Sequence, residues 1–373
     1  MTRRPFSALT GESFAAVEWS QTGRKNHAYR RSVAAYYADR ALLLFTFIWL
    51  FIRVDNYATI SSRPDVLYQP TTWLAHLILP NPMPEAVFYG LVALGALCVL
   101  VCLFKAQLIL ARTALALILV FVILPEFGYG KVDHINHLFF LAHVYAIFLP
   151  IEFPQTLDKA VLQVQAINWY QLGLLSTYTM VGLWKIAELT IRDVIKPGMT
   201  WLHPDALVVT SITAMRNYDL PLTIPAYLET VKWLFPIGYV LIALIFSVSF
   251  LATYRRPLML IILPSILVFH LLNMTHYVLF ISTCFVASIV FFPYDLFLGD
   301  RSPVVPIQAV HFEERRDQAR YERQYANGDR DIFRGFYAYR ERLKDVSIWL
   351  AAPLYYPGVA WSVSRILSIA RAK

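Results

Sequence analysis

The chain has 373 residues, of which 58% are hydrophobic and only 16% charged, and its mean hydropathy is +0.51. A soluble domain carries nearer a quarter charged residues, so this composition excludes an ordinary soluble protein and predicts an integral membrane protein. The net charge of +8 is typical of proteins that bind nucleic acid or anionic lipid. The distribution of charge among apolar runs favours the lipid bilayer and excludes nucleic acid as the partner.

Apolar runs recur along the chain at lengths near the roughly 20 residues that a helix needs to cross a bilayer. They predict an all-α, polytopic membrane bundle of about eight transmembrane helices, with seven or nine left open. The runs are 39–54, 87–104, 107–125, 134–151, 168–190, 231–250, 257–273 and 276–293. Three cysteines lie inside these runs, so we interpret them as packing residues.

Three regions follow from this pattern: a basic N-terminal segment at 1–38, a transmembrane domain at 39–295, and a charged C-terminal region at 296–373. The C-terminal region contains HFEERRDQARYERQ, whose charge density predicts a solvated helix on the cytoplasmic membrane surface. The aromatic residues that follow, such as Trp349 and Trp361, suit an interfacial helix.

The basic residues also indicate an orientation. Most of the 33 Lys and Arg residues fall in the N-terminal segment, the C-terminal region and the turns on the same predicted side. Because basic residues accumulate on the cytoplasmic side, both termini are expected to be cytoplasmic, in a multi-pass protein of the plasma or cell membrane.

Several polar residues interrupt the predicted spans, and such residues usually face the bundle interior and serve a function. They are His134, Asn136, His137 and His143 in the fourth span, Lys185 and Glu188 in the fifth, and His270, Asn273 and His276 where the seventh and eighth meet. In the predicted topology, most of these residues share the extracytoplasmic half of the membrane. His143 lies deeper and on another face, so we interpret it as structural. Glu188 has the spacing to pair with Lys185.

A lysine that is removed from water becomes a better base, because burial disfavours its charged form. Lys185 could accept a proton from a lipid-soluble hydroquinone, while a nearby His or Asn holds the resulting oxyanion. The same lysine could instead form a Schiff base or bind a lipid phosphate, and the residues alone leave these roles open.

Four segments resemble one family. The string YTMVGLWKI, with Tyr178 and Lys185, resembles the Tyr-x-x-x-Gly-x-x-Lys segment of vitamin K-dependent gamma-glutamyl carboxylase. GMTWLHPDAL resembles the stretch that follows this lysine in the wider horizontally transferred transmembrane (HTTM) domain family. Asn136-His137 resembles an earlier Asn-His pair of the family, and His270 with Asn273 resembles its later His-x-x-Asn.

The resemblance covers roughly residues 40 to 295 and implies a chemistry. Lys185 would deprotonate reduced vitamin K, a menaquinol- or phylloquinol-like hydroquinone, which O2 then converts to a strong base that prepares a substrate carbon for CO2. His137 would support the oxygenation step. Substrate and quinone binding would fall to Asn136, His270, Asn273, Tyr178, His134 and Trp201. No metal is expected.

The chain departs from the animal carboxylase after the membrane part, where that enzyme has a large lumenal portion. A short basic region, predicted to be cytoplasmic, follows here instead. The expected substrate is therefore an unknown peptide or small molecule, and carboxylation itself stays open.

Other functions also fit polar residues in a membrane. A non-catalytic lipid- or quinone-binding protein or a transporter would line a pathway with them, although no internal repeat is evident. A histidine-rich metal oxidase, suggested by His134 and His137, needs more clustered histidines than this sequence has. A scaffold for a partner enzyme is the remaining alternative.

Overall fold

The structure is a computed structural model that describes residues 17–18, 20–70, 73–105, 108–129, 136–149, 152–195, 201–217, 226–254, 258–276, 307–315, 318–334 and 338. Most of these residues are helical. The helices are α1 Gln21–Ser61, α2 Trp73–Ile78, α3 Glu85–Phe104, α4 Ile109–Gly128, α5 His137–Ala146, α6 Leu157–Ile195, α7 Ala206–Asn217, α8 Ala226–Val231, α9 Leu234–Ser247, α10 Leu251–Tyr254 and α11 Met259–His276.

Among the described residues, three helices are long and apolar enough to cross a membrane: α1, α3 and α4. Shorter apolar helices cover His137–Ala146, Leu234–Ser247 and Ile261–Leu272. The chain is therefore a mostly helical, membrane-associated protein, as its composition predicted. The count of about eight spans stays a prediction, and the run 276–293 lies outside the described residues except for His276.

The C-terminal region contains a β-sheet, so the predicted surface helix across HFEERRDQARYERQ is wrong. The strands are β1 Val17–Glu18, β2 Ile307–Arg315, β3 Gln318–Tyr325 and β4 Arg330–Arg334, in the antiparallel order β1-β4-β3-β2. The predicted interfacial helix near Trp349 and Trp361 lies outside the described residues.

Side chains alternate along β3, and this period of two is the physical reason for the strand. Tyr321, Arg323 and Tyr325 are buried, while the residues between them are more exposed. Gly328 has a φ of +86°, a conformation that favours glycine, and it closes the turn between β3 and β4 with a hydrogen bond from its backbone N to Tyr325 O at 2.9 Å. Alternation and an Asn-Gly turn together define a hairpin.

The chain forms two compact units. The first comprises Met1–Asp133, His143–Tyr170 and Ile289–Lys373, and the second comprises His134–Ala142 and Gln171–Ser288. In the first unit α3 packs against both α1 and α4. Gly95 makes this close approach possible, since a Cβ there would lie 3.0 Å from a methyl carbon of Ile118 and 3.2 Å from one of Leu50.

Two ion pairs join α1 to α4. Arg112 donates two hydrogen bonds to the Asp39 carboxylate, at 2.9 and 2.7 Å, and both side chains are buried. Fourteen residues further along each helix, Arg53 Nη1 lies 2.6 Å from Glu126 Oε1. Because both pairs have the same spacing, α1 and α4 run parallel, and the pairs are about 21 Å apart along the helix axes.

The hairpin of β3 and β4 caps the N-terminus of α1. The backbone N of Ser20 donates to Asp331 Oδ1 at 2.8 Å, and that of Thr22 donates to Asp329 Oδ2 at 3.2 Å. The Tyr325 hydroxyl donates a hydrogen bond to the other carboxylate oxygen, Asp331 Oδ2, at 2.6 Å. Helix N-termini carry unsatisfied N–H groups and partial positive charge, so these two carboxylates stabilise the start of the longest helix described.

We expect the Asp39–Arg112 pair to stabilise the first unit far more than Arg53–Glu126. Asp39→Leu leaves a buried guanidinium without its main counter-charge and should lower the free energy of unfolding by about 3–5 kcal/mol. Arg53→Gln opens a partly exposed pair and should cost about 1 kcal/mol or less. Denaturant or thermal unfolding of the detergent-solubilised protein measures both.

The double variant Asp39→Leu/Arg112→Met is the control for lost packing. It should recover much of the stability, since the buried Arg112 guanidinium is removed together with its counter-charge. An Asp39→Leu variant as stable as Arg53→Gln would contradict this account.

Docking of the hairpin should depend on pH at both extremes. Hydrogen bonds from Thr22 hold the pKa of Asp329 below its ordinary 3.8, so stability from this contact is full above pH 4 and is lost as pH falls through the lower pKa. Burial and the nearby Asp331 raise the pKa of Tyr325 above its ordinary 10, so its contribution is lost as pH rises through that higher value. Hydrogen-exchange protection of the Thr22 amide, which donates to Asp329, reports the loss in acid, and the ultraviolet absorbance of ionised tyrosine reports the loss in base.

Asp329→Asn should remove much of the acid-dependent loss. The matched control is Asp158→Asn. Asp158 lies on α6 and forms a surface ion pair with Lys25 of α1, so this variant removes a carboxylate near α1 that does not cap its N-terminus. An unchanged acid profile in Asp329→Asn would argue against the capping role.

Candidate functional site

Lys185 lies among three aromatic rings of the second unit. Its Nζ is 4.5 Å from the ring centroid of Tyr239 on α9, 5.8 Å from Trp201 in the turn before α7, and 5.9 Å from Phe269 on α11. We call Trp201, Tyr239 and Phe269 the aromatic cage. Faces of aromatic rings attract a cation at these distances, and each such contact is worth about 0.5–2 kcal/mol.

The rings of the cage are held by other aromatic groups. Trp201 stacks on Tyr239 with centroids 5.3 Å apart and planes at 5°. Phe269 packs edge-on against Phe246, with centroids 5.2 Å apart. The Glu188 carboxylate, one turn beyond Lys185 on α6, adds an electrostatic attraction for the lysine. The half-buried amine therefore has a fixed, largely apolar environment.

A hydrogen-bonded pair of polar rings neighbours the cage along the same helices. The Tyr178 hydroxyl lies 2.8 Å from His270 Nε2, and both residues are buried. His270 follows Phe269 of the cage directly on α11. The pair can exchange a proton or bind a polar ligand atom, because a hydroxyl and an imidazole both donate and accept hydrogen bonds.

The spacing Tyr178, Gly182, Lys185 sets these groups on one face of α6. Steps of four and seven residues return to nearly the same side of a helix. Tyr178 meets Phe246, and Gly182 lies against the backbone of α9, where a Cβ would collide with the N of Ser247. The glycine brings this face of α6 close to the end of α9, so Tyr178 and Lys185 both project toward the α9 and α11 side chains that they contact.

The second unit thus brings together four residues of the predicted site: Lys185, Trp201, Tyr178 and His270. Asn136 is buried just before α5, and His137 is half-buried as its first residue; both belong to this unit. The third predicted site residue of this segment, His134, lies outside the described residues.

The last turn of α11 carries the other candidates. Asn273 and His276 lie on this helix after His270, and their side chains are outside the described part of the structure. Their contribution to the site stays a prediction.

His143 belongs to the first unit and makes a local contact there. Its Nε2 is 2.9 Å from Thr46 Oγ1, and the same hydroxyl donates to the backbone O of Leu42 at 2.7 Å. The bond chain satisfies a buried histidine inside the helical core, which agrees with its interpretation as a structural residue.

Sequence reasoning missed two rings of the cage. Tyr239 stands in an apolar run without charged neighbours, so nothing in the pattern distinguishes it from a packing residue. Phe269 could have been identified from sequence, because it directly precedes the candidate residue His270. The buried pair Asp39–Arg112 was also missed, although Arg112 lies inside the run 107–125.

A salt bridge outside the cage fixes the turn that carries Trp201. Lys232 Nζ donates to Asp205 Oδ1 at 2.9 Å and also lies 2.8 Å from Glu229 Oε2. The bond from Lys232 holds the pKa of the exposed Asp205 below its usual value. The contact ties the segment after Trp201 to the segment that leads into α9 and Tyr239.

No protein-family model, curated protein or solved structure matches this chain. In the described part of the chain, no group of three or more His, Cys, Asp or Glu side chains could hold a metal ion. The site is therefore characterised by its own geometry: an amine, three aromatic faces and a Tyr–His pair.

We expect Tyr239→Leu to make Lys185 more reactive. Loss of the nearest ring removes both a cation–π contact and the ring that stacks on Trp201. Modification of Lys185 by a membrane-permeant, amine-selective reagent should become about two- to thirty-fold faster, which corresponds to the range of one such contact. Peptide mass spectrometry after timed labelling measures the rate.

Tyr254→Leu provides the control, since Tyr254 is a half-exposed tyrosine of the same unit. Equal labelling rates for Lys185 in the two variants would show that the cage does not restrain this amine.

Proposed function

We propose that this protein is a membrane enzyme in which Lys185 acts as the base toward a lipid-soluble hydroquinone. The observation that carries the proposal is the position of Lys185 Nζ at 4.5–5.9 Å from the ring centroids of all three residues of the aromatic cage. Flat aromatic walls suit a flat aromatic ligand, and the amine among them is the group that would accept a phenolic proton.

The environment of the amine favours this role. The three rings around the amine carry no formal charge, whereas the Asp39 carboxylate holds Arg112 in its charged form through two hydrogen bonds. Removal of an amine from water favours its neutral form. The amine can alternate between its neutral and charged forms as a general base requires.

Tyr178 and His270 would orient the ligand. The Tyr178 hydroxyl and His270 Nε2 lie 2.8 Å apart, and a quinol oxygen could replace either group as the hydrogen-bond partner of the other. Trp201 would cover the ring. Asn136, His137, His134 and Asn273 remain the proposed supporting residues, with His137 assisting the oxygenation step as the family resemblance implies.

By that resemblance to the carboxylase-like HTTM family, a bound vitamin K-type quinol would supply a strong base through its reaction with O2, and CO2 would be the second co-substrate. The residues of this chain would bind the quinol, take its first proton at Lys185 Nζ and exclude water with the cage. The final acceptor of the carboxyl group is an unknown peptide or small molecule.

The proposed setting is a multi-pass protein with cytoplasmic termini and the site near the extracytoplasmic face. The parallel direction of α1 and α4 supports a multi-pass arrangement. When successive spans alternate in direction, the first and the third, here α1 and α4, run the same way across the membrane. Basic residues near the start of α1, such as Arg24 and Lys25, favour a cytoplasmic N-terminus.

A non-catalytic quinone- or lipid-binding protein, or a transporter, is the second candidate. The observation that favours it is the cation–π geometry itself, which stabilises a permanently charged amine. In that case Lys185 would serve as a fixed cation and not as a base.

Lys185→Arg separates the two candidates. Arginine keeps a cation against the rings but stays protonated, so it cannot act as a base. We expect both Lys185→Arg and Lys185→Ala to reduce quinol-dependent O2 consumption by about 10²–10⁴-fold, the usual contribution of a general base. Oxygen-electrode assays of the purified protein with a menaquinol analogue measure this rate.

Lys159→Arg serves as the control, because Lys159 is an exposed lysine near the start of α6. Its rate should equal that of the unmodified protein. Full turnover by Lys185→Arg in folded protein would refute the base role, and binding of the quinol without O2 consumption by the unmodified protein would favour the fixed-cation alternative.

A further inference from the structure

An open groove lies in the first unit, away from Lys185. It has a volume of about 620 Å³, within the roughly 300–1,000 Å³ of ordinary ligand pockets. Its lining includes two basic side chains, Arg40 and Lys105, one carboxylate, Glu152, and the rings of Tyr36, Phe104 and Phe153. Positive charge and aromatic surface thus share one recess.

Arg40 is a preorganised cation in this lining. Its guanidinium lies 4.0 Å from the ring centroid of Tyr36, and its Nη1 donates to Asp39 Oδ2 at 2.8 Å. Phe153 packs edge-on against the same Tyr36 ring at 5.5 Å. One ring contact and one hydrogen bond orient the guanidinium before any ligand arrives, and Phe153 supports the ring that it contacts.

The charges leave a net positive groove. Asp39 is shared between Arg40 and the buried Arg112, so its single negative charge meets two guanidinium groups. Glu152 is turned toward Lys159, whose Nζ lies 4.0 Å from its carboxylate. Lys105 adds a further positive charge, and no described residue forms an ion pair with it.

The groove lies where the apolar helices end. The apolar run of α3 stops at Phe104, the next residue is Lys105, and α4 starts at Ile109. Phe104 is 85% exposed and Ile109 is 64% exposed, although both are large and apolar. In a membrane-spanning hairpin, such residues contact acyl chains while the turn between the helices meets the headgroups.

We propose that this groove binds the headgroup of an anionic phospholipid. The phosphate would meet Arg40 and Lys105, while the acyl chains would lie along the exposed apolar surface at Phe104 and Ile109. Arginine suits phosphate because its planar fork can donate two parallel hydrogen bonds. The exposed apolar side chains of Phe104 and Ile109 favour a lipid over a free anion, because a free anion has no acyl chains to contact them.

The test uses the full-length protein in nanodiscs made from an equimolar mixture of phosphatidylglycerol and phosphatidylcholine. Native mass spectrometry gives the ratio of the two lipids that stay bound after release. We expect phosphatidylglycerol to be enriched, and Lys105→Gln to lower the enrichment about fivefold, which corresponds to about 1 kcal/mol per basic residue at a membrane surface. Glu152→Gln should raise it, since a carboxylate leaves the groove.

Arg63→Gln is the matched control, because Arg63 is an exposed basic residue just beyond the other end of α1. The enrichment should persist in this variant and in the presence of excess inorganic phosphate. An equal loss in Arg63→Gln would reduce the effect to general surface charge, and displacement by inorganic phosphate would indicate a simple anion site. Either outcome, or no change in folded Lys105→Gln, overturns the proposal.

Discussion

A charge in the apolar part of a helical bundle has no water to stabilise it, so the protein must supply the partner. The two units meet this constraint in different ways. Asp39 and Arg112 neutralise each other through two hydrogen bonds, and their positions set the register of α1 against α4. Lys185 instead lies against three aromatic faces. The first arrangement pairs a cation with a carboxylate, whereas the second surrounds an amine with uncharged rings, and this difference is the reason why we propose a chemical role for Lys185 and not for Arg112.

The geometry around Lys185 depends on residues with little chemistry of their own. Gly182 lets α6 lie against the end of α9, so that Tyr178 and Lys185 reach their partners from one face. The bond between Asp205 and Lys232 ties the segment after Trp201 to the one that precedes Tyr239. In the first unit, Asp329 and Asp331 play a comparable part by capping α1 from a hairpin about 300 residues away in the chain. Helix ends and close backbone contacts thus hold the charged groups in place.

Hydropathy was sufficient to predict three helices that are long and apolar enough to cross a membrane, because α1, α3 and α4 each contain a long apolar stretch. Candidate residues were predictable from sequence where a charged or polar side chain interrupts an apolar run, as Lys185 and His270 do, whereas Tyr178 was identified through the family resemblance. Tyr239 was not identified, since a tyrosine in an apolar run conflicts with nothing. The prediction of a helix in place of the sheet was wrong because it rested on charge density and not on the alternation of buried and exposed side chains. The buried Tyr321, Arg323 and Tyr325 and the turn Asn327-Gly328 follow the pattern of a hairpin. A buried arginine within that pattern breaks the usual rule and hides the strand.

The central claim is that the aromatic cage around Lys185 is the binding site of a lipid-soluble quinol. Photoaffinity labelling of the membrane-embedded protein with an azido-quinone, reduced before use, tests it most directly. We expect the label to attach to peptides that carry Trp201, Tyr239 or Phe269, and an excess of unmodified quinol to prevent this attachment. Attachment confined to α1, α3 and α4, or labelling of the cage peptides that unmodified quinol does not reduce, would contradict the claim.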